Sequence, residues 1–285
     1  MTEKAAIRVV NGIGEMQALS NSLRRVGRTI SFVPTMGALH EGHISLMKAG
    51  RKSGDVLVAS VFVNPTQFAP GEDYDSYTRD TDGDLGKMTD AGVNIAFFPN
   101  AEAIYPPDFE TYVEVTELEK PLCGRFRPGH FRGVATVVLK LFNIVKPHIA
   151  LFGEKDYQQL QIVKKMVRDL NLDIEIRGMP IAREKSGLAM SSRNAYLTSE
   201  EREKAVSLSR TLLEIKKRFE GGEMDTRRLV RRGYEILRDA SVSDVDYLEI
   251  RDGETLGEKA SAARGDVAAL AVRIGNARLI DNILL

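Results

Sequence analysis

Two histidines three residues apart, His40 and His43, occur in the run Pro34-Thr35-Met36-Gly37-Ala38-Leu39-His40-Glu41-Gly42-His43. A β-branched stretch at 29–33 precedes the run, and 44–50 continues it with helical spacing, so strand, tight turn and helix start are contiguous. A helix start offers backbone N–H groups and the positive end of the helix dipole to an anion. Gly37 and Gly42 remove side chains that would obstruct a phosphate there. If the turn is already helical, both imidazoles share a face and can donate hydrogen bonds as phosphate charge is redistributed. The same pair would also suit a helix cap or a metal ion. Position after a strand, flanking glycines and the lack of cysteine ligands favour the nucleotide.

Three more clusters carry polar chemistry. Asn64 and Gln67 follow the apolar run 56–63, where neutral amides can hydrogen-bond hydroxyls and a carboxylate, although Asn64-Pro65 also reads as a turn. In Gly153-Glu154-Lys155-Asp156, the glycine lets backbone approach a ligand and Lys155 offers a mobile cation. Asp156 can cap the next helix or accept from a ribose hydroxyl, and Gln159, three residues on, shares its face. Met190-Ser191-Ser192-Arg193 combines hydroxyls with a guanidinium suited to terminal phosphates. The stretch 124–132, with Arg125, Arg127, Arg132 and His130 among aromatics, reads as a cleft wall or as packing. It is not repeated and has no basic domain around it, as an RNA platform would.

These clusters need elements to hold them. Residues 29–33, 56–63, 93–98, 111–115, 149–152 and 174–176 read as strands, and 45–50, 76–91, 134–145 and 157–170 as core-facing helices. That alternation predicts an α/β fold, a Rossmann-like doubly wound parallel sheet whose ligands bind at the carboxyl ends of its strands. After Pro180 the pattern becomes two charged helices, near 200–220 and 225–240, then strands at 245–250, 267–274 and 277–279. We therefore expect residues 1–181 to form a nucleotide- and substrate-binding domain, and 182–285 a smaller α+β domain closing over the active site.

Bulk properties exclude several functions. Forty Lys and Arg balance 40 Asp and Glu, so no global field draws nucleic acid to the surface. A single cysteine, Cys123, excludes an intramolecular disulfide and a cysteine-rich metal site. No apolar run approaches the roughly 20 residues of a membrane span, and the first ten residues lack the pattern of a secretory signal, so a cytoplasmic protein is expected.

The run 34–43 as a whole resembles the pantothenate synthetase family, and its His40-x-Gly-His43 core resembles the wider superfamily containing the class I aminoacyl-tRNA synthetases. The stretches 61–68, 152–160 and 190–194 resemble the same family in order and spacing, as does the tail Ala277-Arg278-Leu279-Ile280-Asp281-Asn282. The resemblance implies ATP-dependent condensation of pantoate with β-alanine through a pantoyl adenylate, with Mg²⁺ accompanying ATP, in a homodimer. It implies His43, His40, Lys155 and Arg193 as catalytic residues. ATP contacts would come from Pro34, Met36, Gly37, Gly153, Asp156, Ala182, Met190, Ser191 and Ser192 besides those four. Pantoate and β-alanine would meet Asn64, Gln67, His130, Gln159 and the branched face of Val134 and Val138. Ala189 and Ser192 replace lysines of the tRNA-ligase version, which leaves charge compensation to Arg193, Lys155 and Mg²⁺. Protein ligands of the metal are not readable. A simple nucleotidyltransferase and a non-catalytic nucleotide sensor are the rival readings, and an RNA-ligating synthetase would need a basic domain that the chain lacks.

Overall fold

The computed structural model describes residues 6–69 and 71–285. Residues 1–5, part of the stretch read as lacking a secretory signal, lie outside the described residues. The chain divides into two compact units. The first comprises Met1–Thr116, Arg127–Glu154 and Ile162–Pro180, and the second Glu117–Phe126, Lys155–Gln161 and Ile181–Leu285.

The first unit is built on a six-stranded sheet of β1 (Arg8–Val10), β2 (Ile30–Thr35), β3 (Val56–Val61), β4 (Ile95–Phe97), β5 (Ile149–Gly153) and β6 (Glu175–Met179), in the order β1-β4-β3-β2-β5-β6. Every pairing is parallel, for example Ile30↔Val56 through Thr35↔Val61. Its helices are α1 (Ile13–Arg25), α2 (Glu41–Ser53), α3 (Thr81–Asp90), the short α4 (Ala101–Ile104), α6 (His130–Val145) and the later part of α7 (Tyr157–Asp169). The short α5 (Cys123–Phe126) belongs to the second unit. Ile30, Phe32 and Val33 are fully buried, as a strand covered on both faces requires. Helix α2 lies close on the sheet because Gly50 has no side chain: a Cβ there would come 2.8 Å from Leu57 Cδ1. From β2 the order runs through β3 and β4 on one side and through β5 and β6 on the other. The direction of winding thus changes between β2 and β5, which is where a doubly wound sheet opens its ligand crevice.

The second unit carries an antiparallel sheet, β7 (Val245–Arg251), β8 (Val267–Ile274) and β9 (Ala277–Leu284) in sequential order, with α8 (Ser199–Glu220) and α9 (Thr226–Asp239). The helices are capped from their own sequences. Thr198 and Glu201 form a reciprocal capping box on α8, and Asp225 accepts from the N–H groups of Arg227 and Arg228 on α9. Leu208, Leu212, Ile215, Leu229, Leu248 and Leu270 form part of a continuous core.

Three differences from the sequence reading have physical causes. Residues 111–115, expected as a strand, pair with no strand among the described residues; instead the Val113 N–H donates to Thr136 Oγ1 of α6 and Arg132 stacks on the Tyr112 ring. β1 and α1 were not expected: β1 is only three residues long, too short to stand out, and pairs with the edge of β4, while α1 packs on α6. Two short segments, Glu117–Phe126 and Lys155–Gln161, pack with the second unit, tied by Gln158, whose amide bonds Leu118 O, Pro121 O and the Cys123 N–H.

Candidate active site

In the first unit the turn after β2 is held from beneath. Gly37 has φ +85° and Ala38 φ +49°, a left-handed pair that aims successive N–H groups in one direction. Their acceptor is Asp84 of α3, almost wholly buried, whose Oδ2 takes the Ala38 N–H at 2.9 Å and whose Oδ1 takes the Leu39 N–H at 2.8 Å. Lys87, one turn on, bonds the Leu39 carbonyl at 2.9 Å. Burial pushes the Asp84 carboxyl above its ordinary value, against the pull of those two N–H groups and of Lys87. Gly37 is therefore required for a reason other than ligand access. A Cβ would stand 2.9 Å from Asp84 Oδ2 and 3.0 Å from Val61, on a backbone that L side chains avoid.

His40 and His43 do not lie together inside the helix as a shared helical face would need. His40 is the extended N-cap of α2, its Nδ1 accepting from the Gly42 N–H at 3.1 Å, while His43 Nδ1 accepts from the His40 N–H at 3.3 Å. This is a capping box built from two imidazoles, with ring centres 4.1 Å apart. Each ring accepts through Nδ1, so in its neutral form each carries its proton on Nε2 and donates from there. The expected cradle of open N–H groups is largely filled: those of Gly37, Ala38, Leu39, His40 and Gly42 all have side-chain acceptors. What remains at the turn is the pair of imidazoles itself, set at the positive end of the helix dipole.

After β3, Asn64 caps the short helical turn Pro65–Gln67, and Gln67 is its last residue. Asn64 is 1% exposed and its amide is saturated: Nδ2 bonds Gln67 Oε1 and Gly133 O, both at 3.1 Å, and Oδ1 accepts from Tyr105 and Thr66 hydroxyls. Gln67 turns its own Nε2 to the Met36 sulfur, a weak acceptor. Helix α6 approaches this turn through Gly133, where a Cβ would meet Thr66 O at 2.3 Å. His130 touches the same turn. Its Nδ1 lies 2.8 Å from Gln67 O, and Arg127 Nη1 lies 3.0 Å from its Nε2. A carbonyl only accepts and a guanidinium only donates, so the neutral ring fits these contacts with its proton on Nδ1. Arg127 also forks onto Glu72 at 2.7 and 2.6 Å. Burial raises the Glu72 carboxyl, but those bonds and the Arg127 charge outweigh it and leave it below its ordinary value. Val134 and Val138 are buried. Pro34 lies within β2, and Gly153, at the end of β5, has open space at its Cβ position.

The second unit holds the remaining residues. Lys155 and Ser191 line one small cavity with Leu188, Ala189, Asn194 and Asp281. Asp156 ends the short turn Glu154–Asp156 before α7, and among the described residues its carboxylate accepts no backbone N–H; it is half exposed, 3.8 Å from the Lys155 ammonium. Gln159 is partly exposed, and among the described residues its amide makes no hydrogen bond, in contrast to neighbouring Gln158. The loop 190–193 leaves a tight hairpin. Met190 N–H bonds Ala182 O at 2.9 Å, Arg183 bridges Ala189, and Gly187 turns the chain at φ +94°. Ser191 caps the turn Ser192–Tyr196 by accepting the Arg193 N–H, and buried Asn194 anchors that turn to Glu184 and Ala189.

Asp84, Glu72 and Gly133 were not singled out as functional by sequence reasoning, and Arg127 entered only as part of the 124–132 cleft-wall stretch. Asp84 stands in a helix rich in Asp and Thr, where its spacing looks like a solvated face. Only tertiary packing distinguishes it from its neighbours.

Comparison with known proteins bears on the chemistry. Residues 8–284 match the family model described as pantoate-beta-alanine ligase. The chain is 51% identical to the pantothenate synthetase of Geobacter sulfurreducens over 279 residues, covering 98% of this chain and 99% of that protein. It is similar to the crystal structure of pantothenate synthetase from Thermus thermophilus, with TM-score 0.92 and 45% identity over 97% of this chain and 99% of that one. It is also similar, at TM-score 0.81, 35% identity and 98% coverage of each chain, to the Francisella tularensis pantoate-beta-alanine ligase complexed with β-γ ATP and β-alanine. Signature residues after β2, β3 and β5, a sheet that reverses winding between β2 and β5, and a match along nearly the whole length agree: the chain belongs to the pantoate-β-alanine ligase family.

Proposed function

We propose that this chain joins pantoate to β-alanine at the expense of ATP, in two steps. In the first, a pantoate carboxylate oxygen attacks the α-phosphorus and the bond to pyrophosphate breaks, leaving pantoyl adenylate. In the second, the amine of β-alanine attacks the acyl carbon, AMP departs with the bond electrons, and the amine loses its proton. Neither step needs a covalent bond to the protein, so catalysis rests on positioning and charge stabilisation.

The observation that carries this reading is the capping box of His40 and His43 at the winding reversal of the sheet, two imidazoles at the positive end of α2. In this reading they bond the phosphates while charge moves to the leaving group, and Lys155, Ser191, Ser192 and Arg193 of the second unit compensate the pyrophosphate. Pro34, Met36, Gly37, Gly153, Asp156, Ala182 and Met190 contribute the rest of the ATP contacts. Gln67 and Gln159 receive pantoate through neutral amides, beside Val134 and Val138. Asn64 and His130 serve that pocket by holding Gln67, since their own polar atoms are occupied by protein groups. Mg²⁺ enters with ATP as its phosphate complex. Mg²⁺ on a nucleotide is usually held by the phosphates with one or two carboxylates.

Cytoplasmic residence and a homodimer are part of the proposal. Among the described residues no helix is long and apolar enough to cross a membrane. Sedimentation at a single-chain mass would reject the dimer. The activity is tested by exchange of labelled pyrophosphate into ATP, expected only with pantoate, followed by AMP release only when β-alanine is added. Exchange without pantoate, or adenylate that β-alanine fails to discharge, would reject the ligase reading.

A further inference from the structure

The tail motif at 277–282 lies on β9, and no step above uses it. Asp281 and Asn282 are nevertheless 2% and 5% exposed, an expensive location for a carboxylate and an amide unless both are bonded. Asp281 receives the Arg183 guanidinium as a fork, Nη1 to Oδ2 at 2.7 Å and Nη2 to Oδ1 at 2.9 Å, and Arg183 Nη1 also bonds Gly187 O at 3.0 Å. One carboxylate thus fixes the guanidinium that ties Arg183 to Gly187 across the hairpin that carries 190–193. The next residue acts elsewhere: Asn282 Nδ2 donates to the backbone carbonyl of Lys155 at 2.9 Å. Adjacent strand residues point to opposite faces, so a single strand can grip two different segments. Its register is set by the ladder to β8, Leu270↔Asp281 and Ala269↔Asn282.

We propose that Asp281 and Asn282 are positioning residues, a brace through which β9 fixes the hairpin 182–190 and the backbone at Lys155 in a common frame. The inference rests on the reading that Lys155 and the 190–193 loop serve ATP. Charge-assisted forks are stiff and directional, and misplacing a catalytic group by about 1 Å can cost on the order of 100-fold in rate. The brace therefore acts on the rate of adenylate formation and not on pantoate affinity.

The test uses Asn282→Ala, Asp281→Asn, Lys155→Ala and the double variant Lys155→Ala/Asn282→Ala in the full chain. Asn282→Ala should slow single-turnover adenylate formation by about tenfold or more with pantoate KM within about twofold of wild type. Because Asn282 acts through Lys155, the double variant should be no slower than Lys155→Ala alone. Amide hydrogen exchange should quicken around 155–158 in Asn282→Ala and around 183–190 in Asp281→Asn, with α2 unchanged. Should Asp281→Asn fail to fold, Arg183→Lys keeps the charge but loses the fork and should give the same exchange signature. Wild-type rate in Asn282→Ala, multiplicative losses in the double variant, or exchange unchanged at both segments would overturn the brace. If the wild-type enzyme makes no adenylate, the ligase reading fails, and the exchange data still judge the brace.

Discussion

Asn64 separates a residue that touches substrate from one that holds another residue in place. In Asn64→Ala the amide is lost at a site 1% exposed, and Gly133 O and Gln67 Oε1 each lose the donor that lay 3.1 Å away. Thr66 and Tyr105 keep each other, at 3.1 Å, so the orphaned groups are chiefly those two acceptors. A buried unsatisfied group costs about 1–3 kcal/mol, so the expected loss is about 3 kcal/mol. At about 2–4 °C per kcal/mol for a domain of this size, Tm should fall roughly 6–12 °C. Gln67 then has only the Met36 sulfur to orient it, and pantoate KM should rise about tenfold, about 1.4 kcal/mol, with ATP KM little changed. Asn64→Asp is the sharper perturbation. It is isosteric, yet it sets a buried carboxylate oxygen against the Gly133 carbonyl, which cannot rotate away as the Gln67 amide can. It should be less stable than Asn64→Ala despite its smaller change in shape. Thermal melts and initial-rate kinetics on both variants decide the matter. An Asn64→Asp protein as stable as wild type, or a pantoate KM untouched in either variant, would refute the reasoning.

Gly37→Ala should lose about 1–3 kcal/mol of stability, since it adds a Cβ 2.9 Å from Asp84 Oδ2 at a φ of +85°; an unchanged urea midpoint would contradict the packing argument. Glu72→Gln should destabilise by about 1–2 kcal/mol at neutral pH. Because the folded Glu72 carboxyl titrates below its ordinary 4.5, its contribution is present above that value and lost as the pH falls through the lowered one. The stability gap between variant and wild type should therefore close in acid, and a gap that widens there would refute the pairing with Arg127. His43→Ala should slow pyrophosphate exchange at least tenfold. His40→Ala should do the same and also cost about 1 kcal/mol as a lost N-cap, measured by melting. Exchange near wild type in either variant would remove that imidazole from the chemistry. Gln159→Ala should raise pantoate KM far more than ATP KM, and equal effects on both would contradict its assignment.

Much of this was legible in the chain itself. The strand 267–274 was read to the residue, and β2, β3 and β5 within two residues at either end, because β-branched runs between turn residues have few other solutions. Four motifs at family spacing led to the family, since a turn that presents polar groups from a strand end allows few residue types at few positions. The segment 111–115 misled because an extended, alternating pattern is satisfied as well by a helix flank as by a neighbouring strand, and local sequence does not say which is there.

Tertiary structure decided what each polar residue is for. Asn64 carries the same side chain as a ligand-binding residue would, but the carbonyl of Gly133 gives it structural work. Asp84 in one unit and Asp281 in the other are acidic residues in polar-looking stretches, and only folding buries them against the N–H groups of 38–39 and the guanidinium of Arg183. Sequence determines the chemical capacity of a side chain, because that is covalent. Which of its hydrogen-bonding sites remain for a ligand depends on partners 45 to 98 positions away, and those distances close only when the chain packs.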